Sequence, residues 1–239
     1  MGFSSRSYSR PYLAVPGLPR GIKWLLIVNV AMFVLHLVRA FGPVLFALAL
    51  NPLQVIPRFY VWQFFTYSFV HFDFWEILWN MLTLWMFGSD IEQSWGTERF
   101  LQFYLLCATG PAILAVLLTL PFGIGIQPLF GSWAPIYGIL LVCAVLWPDR
   151  QVLFIIFPMQ MKYFTILVGA IAVYFSMSGG VIYLFMLSGM AFGYLFLKMP
   201  RMRGYDPLGA LDRQYKAWKL ARAKRKFQVY LKKKRSDRD

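Results

Sequence analysis

The sequence is poor in acid, cysteine and histidine. Its 239 residues hold 10 Asp and Glu against 24 Lys and Arg, with only 2 Cys and 2 His. Cys107 and Cys143 both fall in apolar stretches, where thiols pack as small hydrophobes. With no CxxC and no Cys/His cluster, a disulfide framework, a zinc site and haem attachment are all excluded as readings. Charge itself is missing over long runs: Phe100 to Pro148 contains no Asp, Glu, Lys or Arg across 49 residues, and Phe164 to Leu197 none across 34. A bilayer-spanning helix needs about 20 apolar residues, so each run has room for more than one crossing. These absences rule out a soluble enzyme, a secreted scaffold and a disordered regulator. What is there agrees: 59% of residues are hydrophobic, 19% aromatic, and the mean hydropathy is +0.57. The expected class is an all-α, multi-pass membrane protein.

Charges, prolines and glycines punctuate the chain into six expected crossings, at about 23 to 42, 74 to 91, 98 to 120, 132 to 148, 154 to 175 and 179 to 198. Residues 1–22 read as a short cytoplasmic arm, with no signal-peptide core before Lys23. Residues 23–199 form the membrane domain. The Gly42 to Asp73 segment, broken by Pro43, Pro52 and Pro57, is expected to lie partly in the interface. Residues 200–239 are a basic tail: from 201 onward 14 Lys and Arg face 4 Asp and Glu. Leu211, Tyr215 and Trp218 recur at helical spacing there, which predicts an amphipathic basic helix. Trp218, Arg222, Lys224, Arg225, Lys226, Lys232, Lys233, Lys234 and Arg235 are its candidate contacts with anionic lipid or an acidic partner. No nucleic-acid recognition motif accompanies the charge. Both termini are basic, so both are expected on the cytoplasmic side, which six crossings satisfy; the expected setting is a bacterial inner membrane. No internal repeat suggests inverted-repeat transport architecture.

The second crossing opens with Thr66 to His71, then Phe74-Trp75-Glu76-Ile77-Leu78-Trp79-Asn80, and runs to Gly88. Glu92, Gly96-Thr97-Glu98-Arg99-Phe100 and Gly131-Ser132-Trp133-Ala134-Pro135-Ile136-Tyr137-Gly138 follow. In order and spacing, over about residues 20 to 200, this series resembles the rhomboid family of intramembrane serine proteases. The resemblance implies a six-helix bundle with a serine at the head of the fourth helix, a histidine on the sixth and oxyanion-supporting groups on the second. An imidazole would take the hydroxyl proton, and fixed donors would hold the developing oxyanion.

Carried over residue by residue, the resemblance places Trp133 at the family's serine and Met186 at its histidine. Its two histidines and asparagine on the second helix fall on His71, Glu76 and Asn80, and its Trp-Arg pair on Trp62-Gln63. Positions that shape the fold match: Glu92, Gly96, Gly131, Gly138, Gly189 and Gly193. Gly131, Gly138, Gly189 and Gly193 are read as helix-packing positions, with intramolecular packing of the fourth and sixth helices favoured over a dimer motif. Trp133 and Met186 read as space-filling side chains in a vacated pocket; a groove reshaped for a partner helix is the functional alternative. Ser132 is one residue off, about 100° round a helix, and no base is placed beside it, because His71 is expected at the outer end of the second helix and His36 in the first crossing. A Ser/Lys arrangement has only Lys162 as a loose candidate. Glu76 is expected to face water or to pair with Asn80, one turn away.

The expected function is therefore that of a rhomboid-like pseudoprotease with no catalytic residues, no cofactor and no metal. It would bind or scaffold the transmembrane helices of other integral membrane proteins, as an accessory or assembly subunit. Two alternatives stand beside it: an intramembrane serine protease with atypical groups, and a transporter or ion conductor using Glu76.

Overall fold

A computed structural model describes residues 17–122, 128–154, 157–178 and 182–199. The basic tail, with Trp218, Arg222, Lys224, Arg225, Lys226, Lys232, Lys233, Lys234 and Arg235, lies outside the described residues, as does most of the N-terminal arm. The described chain is mostly helical. Helix α1 spans Arg20–Leu37. Short helices follow at α2 (Gly42–Leu48), α3 (Pro52–Val55) and α4 (Gln63–Thr66). Helix α5 (Phe74–Thr83) continues through a π-helical turn at Leu84–Gly88 into α6 (Ser89–Trp95). Then come α7 (Thr97–Phe122), α8 (Trp133–Leu146), α9 (Met161–Met177) and α10 (Ile182–Lys198). By length and composition, α1 and residues Thr97–Thr119 of α7 can each cross a membrane; α8, α9 and α10 are shorter apolar helices.

The expected start of the fifth crossing shifts. Residues 154 and 157–160 do not begin a crossing. They belong to an antiparallel pair of strands, β1 (Gln151–Phe154) and β2 (Phe157–Gln160), paired from Gln151 with Gln160 to Phe154 with Phe157. Pro158, which lacks a donor and suits an extended edge, accounts for the late start of α9 at Met161. Among the described residues the architecture is thus helical with one pair of antiparallel strands rather than purely α. The Gly42 to Asp73 segment carries exposed apolar side chains, including Phe46, Leu53, Ile56, Phe59 and Trp62. Trp62 Nε1 and Gln63 Nε2 both donate to Ala47 O, at 3.2 and 2.9 Å, and Gln63 Oε1 accepts from Asn51 N at 3.1 Å. The Gln63 amide therefore ties α2, α3 and α4 together from a buried position.

The core runs through the N-terminal half of α7, where Phe100, Phe103, Tyr104 and Cys107 are buried against Ile22, Leu84, Ile139 and Cys143. Helix α10 packs chiefly on α8 and α7. Small residues permit the α8–α10 approach. A Cβ at Gly189 would collide with Ala134 O, and one at Gly193 would sit 3.1 Å from Gly138 Cα. A Cβ at Gly138 would come 2.7 Å from Cys107 Sγ.

One end of the bundle is organised by Glu92. Its two carboxylate oxygens accept from Gly21 N at 2.8 Å and Ile22 N at 2.7 Å, the orphan donors at the start of α1, and Oε1 also accepts from Thr97 Oγ1 at 2.6 Å. A buried carboxylate there meets both the open hydrogen-bonding sites and the positive pole of the helix. Gly96, at φ +86, turns the chain from α6 into α7, a conformation that favours glycine. Arg150 pairs with Asp90 at the same end, Met161 N donates to Arg150 O at 2.8 Å, and Arg99 stacks on Trp95 and Phe196. The start of α1 and the end of α10 therefore share the end that holds Arg20, Lys23, Arg99, Arg150, Lys162 and Lys198.

Candidate functional site

At the other end, the head of α8 separates two interiors. Gly131 takes φ +87 and Ser132 stands just before the first turn of α8, so neighbouring side chains leave the backbone in different directions. Trp133 lines a small, half-open recess of about 20 Å³ between α7, α8, α10 and the segment before α5, and Met186 of α10 lines the same recess. Tyr67, Pro111, Leu129, Phe130 and Phe185 complete an almost wholly apolar wall. Tyr67 is pinned by its hydroxyl, which donates to Ala108 O at 2.8 Å. The sole titratable group among the lining residues is the Tyr67 phenol.

Ser132 faces the opposite way, into the bundle, and is fully buried. Its hydroxyl donates to Ser68 O at 2.7 Å and lies 3.3 Å from Asn29 Oδ1, while the Tyr104 hydroxyl donates to it at 3.3 Å. His71 Nε2 stands 3.4 Å from Ser132 Oγ and 3.0 Å from Asn29 Oδ1. On the other edge of the imidazole, Nδ1 meets Glu76 Oε1 at 3.3 Å.

This corrects the expectation that no imidazole approaches Ser132. His71 is not on the second helix but in the extended stretch between the turn at Tyr67–Phe69 and α5. Asp73 caps α5, its Oδ1 accepting from Glu76 N at 2.9 Å, and the chain before it folds back over the head of α8. Glu76 is corrected too. Its side chain is only 10% exposed and pairs with His71 rather than facing water or Asn80. A Cβ at Gly131 would collide with Glu76 Oε1, so glycine is required there by contact as well as by φ. Asn80 is buried, and neither its Oδ1 nor its Nδ2 has a partner among the described residues.

The other candidates lie apart. Lys162 Nζ bonds Asp149 Oδ1 at 3.0 Å, away from the head of α8. His36 packs against the rings of Phe33 and Phe72. Asn29, Ser68 and Tyr104 complete the polar cluster and were not singled out from sequence. The available signal was Asn29, one uncharged amide in the apolar run from Trp24 to Leu35.

In chemical terms, the recess presents an apolar lining and offers no nucleophile or base among its lining residues. The polar cluster has the order of a Ser-His-carboxylate set, buried at Ser132 and His71 and slightly exposed at Glu76.

These features define a class first: a bundle of apolar helices around a recess at the head of one of them. The Rhomboid domain family model matches residues 58–201, and the chain belongs to the rhomboid family. It is an integral membrane protein. Among curated proteins it is similar to Rhomboid protein 1, mitochondrial, of Saccharomyces cerevisiae, 27% identical over 92 residues, 38% of this chain and 27% of that protein. It is 36% identical over 67 residues to Rhomboid-like protein 15 of Arabidopsis thaliana, 28% of this chain and 17% of that one. Over 57 residues it is 32% identical to Rhomboid protease GlpG of Salmonella newport, 24% of this chain and 21% of the relative. The matches thus span between 17% and 27% of these relatives' own lengths.

Proposed function

We propose that the protein is a non-catalytic rhomboid that binds or scaffolds the transmembrane helices of other membrane proteins, as an accessory or assembly subunit. The observation that carries this reading is the shared recess of Trp133 and Met186. These residues stand where the family resemblance puts a serine and a histidine. An indole and a thioether cannot exchange a proton with a substrate carbonyl, whereas they suit packing against an apolar side chain. Six crossings fit the succession of α1, α5–α6, α7, α8, α9 and α10. The gathering of basic residues at the end shared by the start of α1 and the end of α10 supports a cytoplasmic placement of that end.

The test is a photo-crosslinking amino acid at position 133 or 186 in the native membrane, read by mass spectrometry. The expected product is a specific adduct to a transmembrane segment of another protein, lost when the crosslinker is moved to the far end of α8. Recovery of an uncrosslinked lone monomer contradicts the proposal.

A second reading is favoured by one specific observation, the 3.4 Å and 3.3 Å contacts that link Ser132, His71 and Glu76. An intramembrane protease using that set would cleave a transmembrane substrate in reconstituted vesicles, and His71→Ala would abolish the cleavage. The burial of Ser132 and the short bond from its hydroxyl to Ser68 O weigh against it.

A further inference from the structure

The hydrogen-bond partners of His71 constrain it more than its distances do. Asn29 Nδ2 donates to Leu25 O at 2.7 Å within α1. A carbonyl oxygen only accepts, so turning the amide over would set two acceptors against each other at that separation. Asn29 Oδ1 is thereby aimed at His71 Nε2, 3.0 Å away. It too only accepts, so Nε2 must carry a hydrogen. The hydroxyl hydrogen of Ser132 goes to Ser68 O, its shortest contact at 2.7 Å, which leaves the Ser132 lone pairs to Tyr104 and to the Nε2 hydrogen.

A working relay needs the reverse. Nε2 must present a lone pair to take the serine proton, while Nδ1 donates to the carboxylate. Glu76 beside Nδ1 favours that tautomer; Asn29 beside Nε2 opposes it.

We propose that Asn29 is a positioning residue that holds the hydrogen of His71 on Nε2 and so keeps Ser132, His71 and Glu76 from acting as a proton relay. This rests on the non-catalytic reading and supplies a reason for it that the recess does not.

The test is nitrogen NMR on histidine-labelled full-length protein in lipid bilayers, with His36→Gln removing the one other imidazole. The expected result is a protonated Nε2 in the otherwise unchanged chain. Ser132→Ala should leave it protonated, because the amide and not the hydroxyl sets the tautomer; Asn29→Val should move the hydrogen to Nδ1. A bare Nε2 in the unchanged chain, a tautomer shift in Ser132→Ala, or a folded Asn29→Val that keeps Nε2 protonated each overturns the assignment. If Asn29→Val does not fold, the first two measurements still decide. Treating the same samples with a fluorophosphonate separates the two claims. A bare Nε2 with no adduct removes the role of Asn29 alone, and cleavage activity that survives Ser132→Ala with Nε2 protonated removes the non-catalytic reading alone. An adduct on Ser132 removes both.

Discussion

Trp133 and Ser132 are adjacent in the chain and serve two different interiors. On the Trp133 side, the wall is apolar apart from one phenol whose hydrogen is already committed to Ala108 O. On the Ser132 side, a hydroxyl, an imidazole, an amide, a phenol and a carboxylate satisfy one another, with Glu76 alone among them partly exposed. The difference teaches where polar groups are affordable in a membrane bundle. A partly filled polar recess leaves unpaired groups that cost free energy, whereas a closed network of donors and acceptors holds helices in register.

Substitutions at the shared wall and on each side sharpen this contrast. The largest effect is expected from Gly189→Val, because any Cβ there meets the Ala134 carbonyl and forces α10 off α8. A loss of about 3 kcal/mol or more is expected, seen as a fall in thermal midpoint in detergent micelles, with both interiors disrupted. His71→Ala should cost somewhat less, about 2 kcal/mol, since Asn29 Oδ1 is left without its main donor and Glu76 without its partner. Resistance of the segment before α5 to limited proteolysis should fall with it, while crosslinking from position 186 persists. Ser132→Ala removes one neutral bond to Ser68 O and should cost about 1 kcal/mol in the same melt. Met186→Leu should change stability by under about 1 kcal/mol, as a volume-conserving swap at a partly exposed position, yet it should alter the yield of partner crosslinks from position 133. A larger stability loss from Met186→Leu than from His71→Ala would reverse the assignment of the two interiors.

Much of the helix layout was legible in the sequence because it follows from where charge is absent and where glycine and proline fall. Helices α7, α8 and α10 begin and end within a few residues of expectation, and the glycines that let α8 meet α10 stand where the family resemblance puts them. The strand pair was missed because Val152, Leu153 and Phe154 continue an apolar pattern that reads equally well as the start of a crossing; Pro158 was the overlooked sign. The contact between His71 and Ser132 joins residues 61 apart through an extended segment with no periodic signature. Local pattern cannot register such a contact. Glu76 illustrates the same limit: helical spacing put it beside Asn80, but the cap at Asp73 turns His71 onto it first.

The central claim is that neither interior performs serine chemistry. Its most direct test is the intact mass of the purified full-length protein after incubation with a fluorophosphonate in lipid bilayers. The account predicts an unchanged mass, both in the native chain and in Ser132→Ala; a single phosphonate adduct on the native chain that disappears in Ser132→Ala would contradict it.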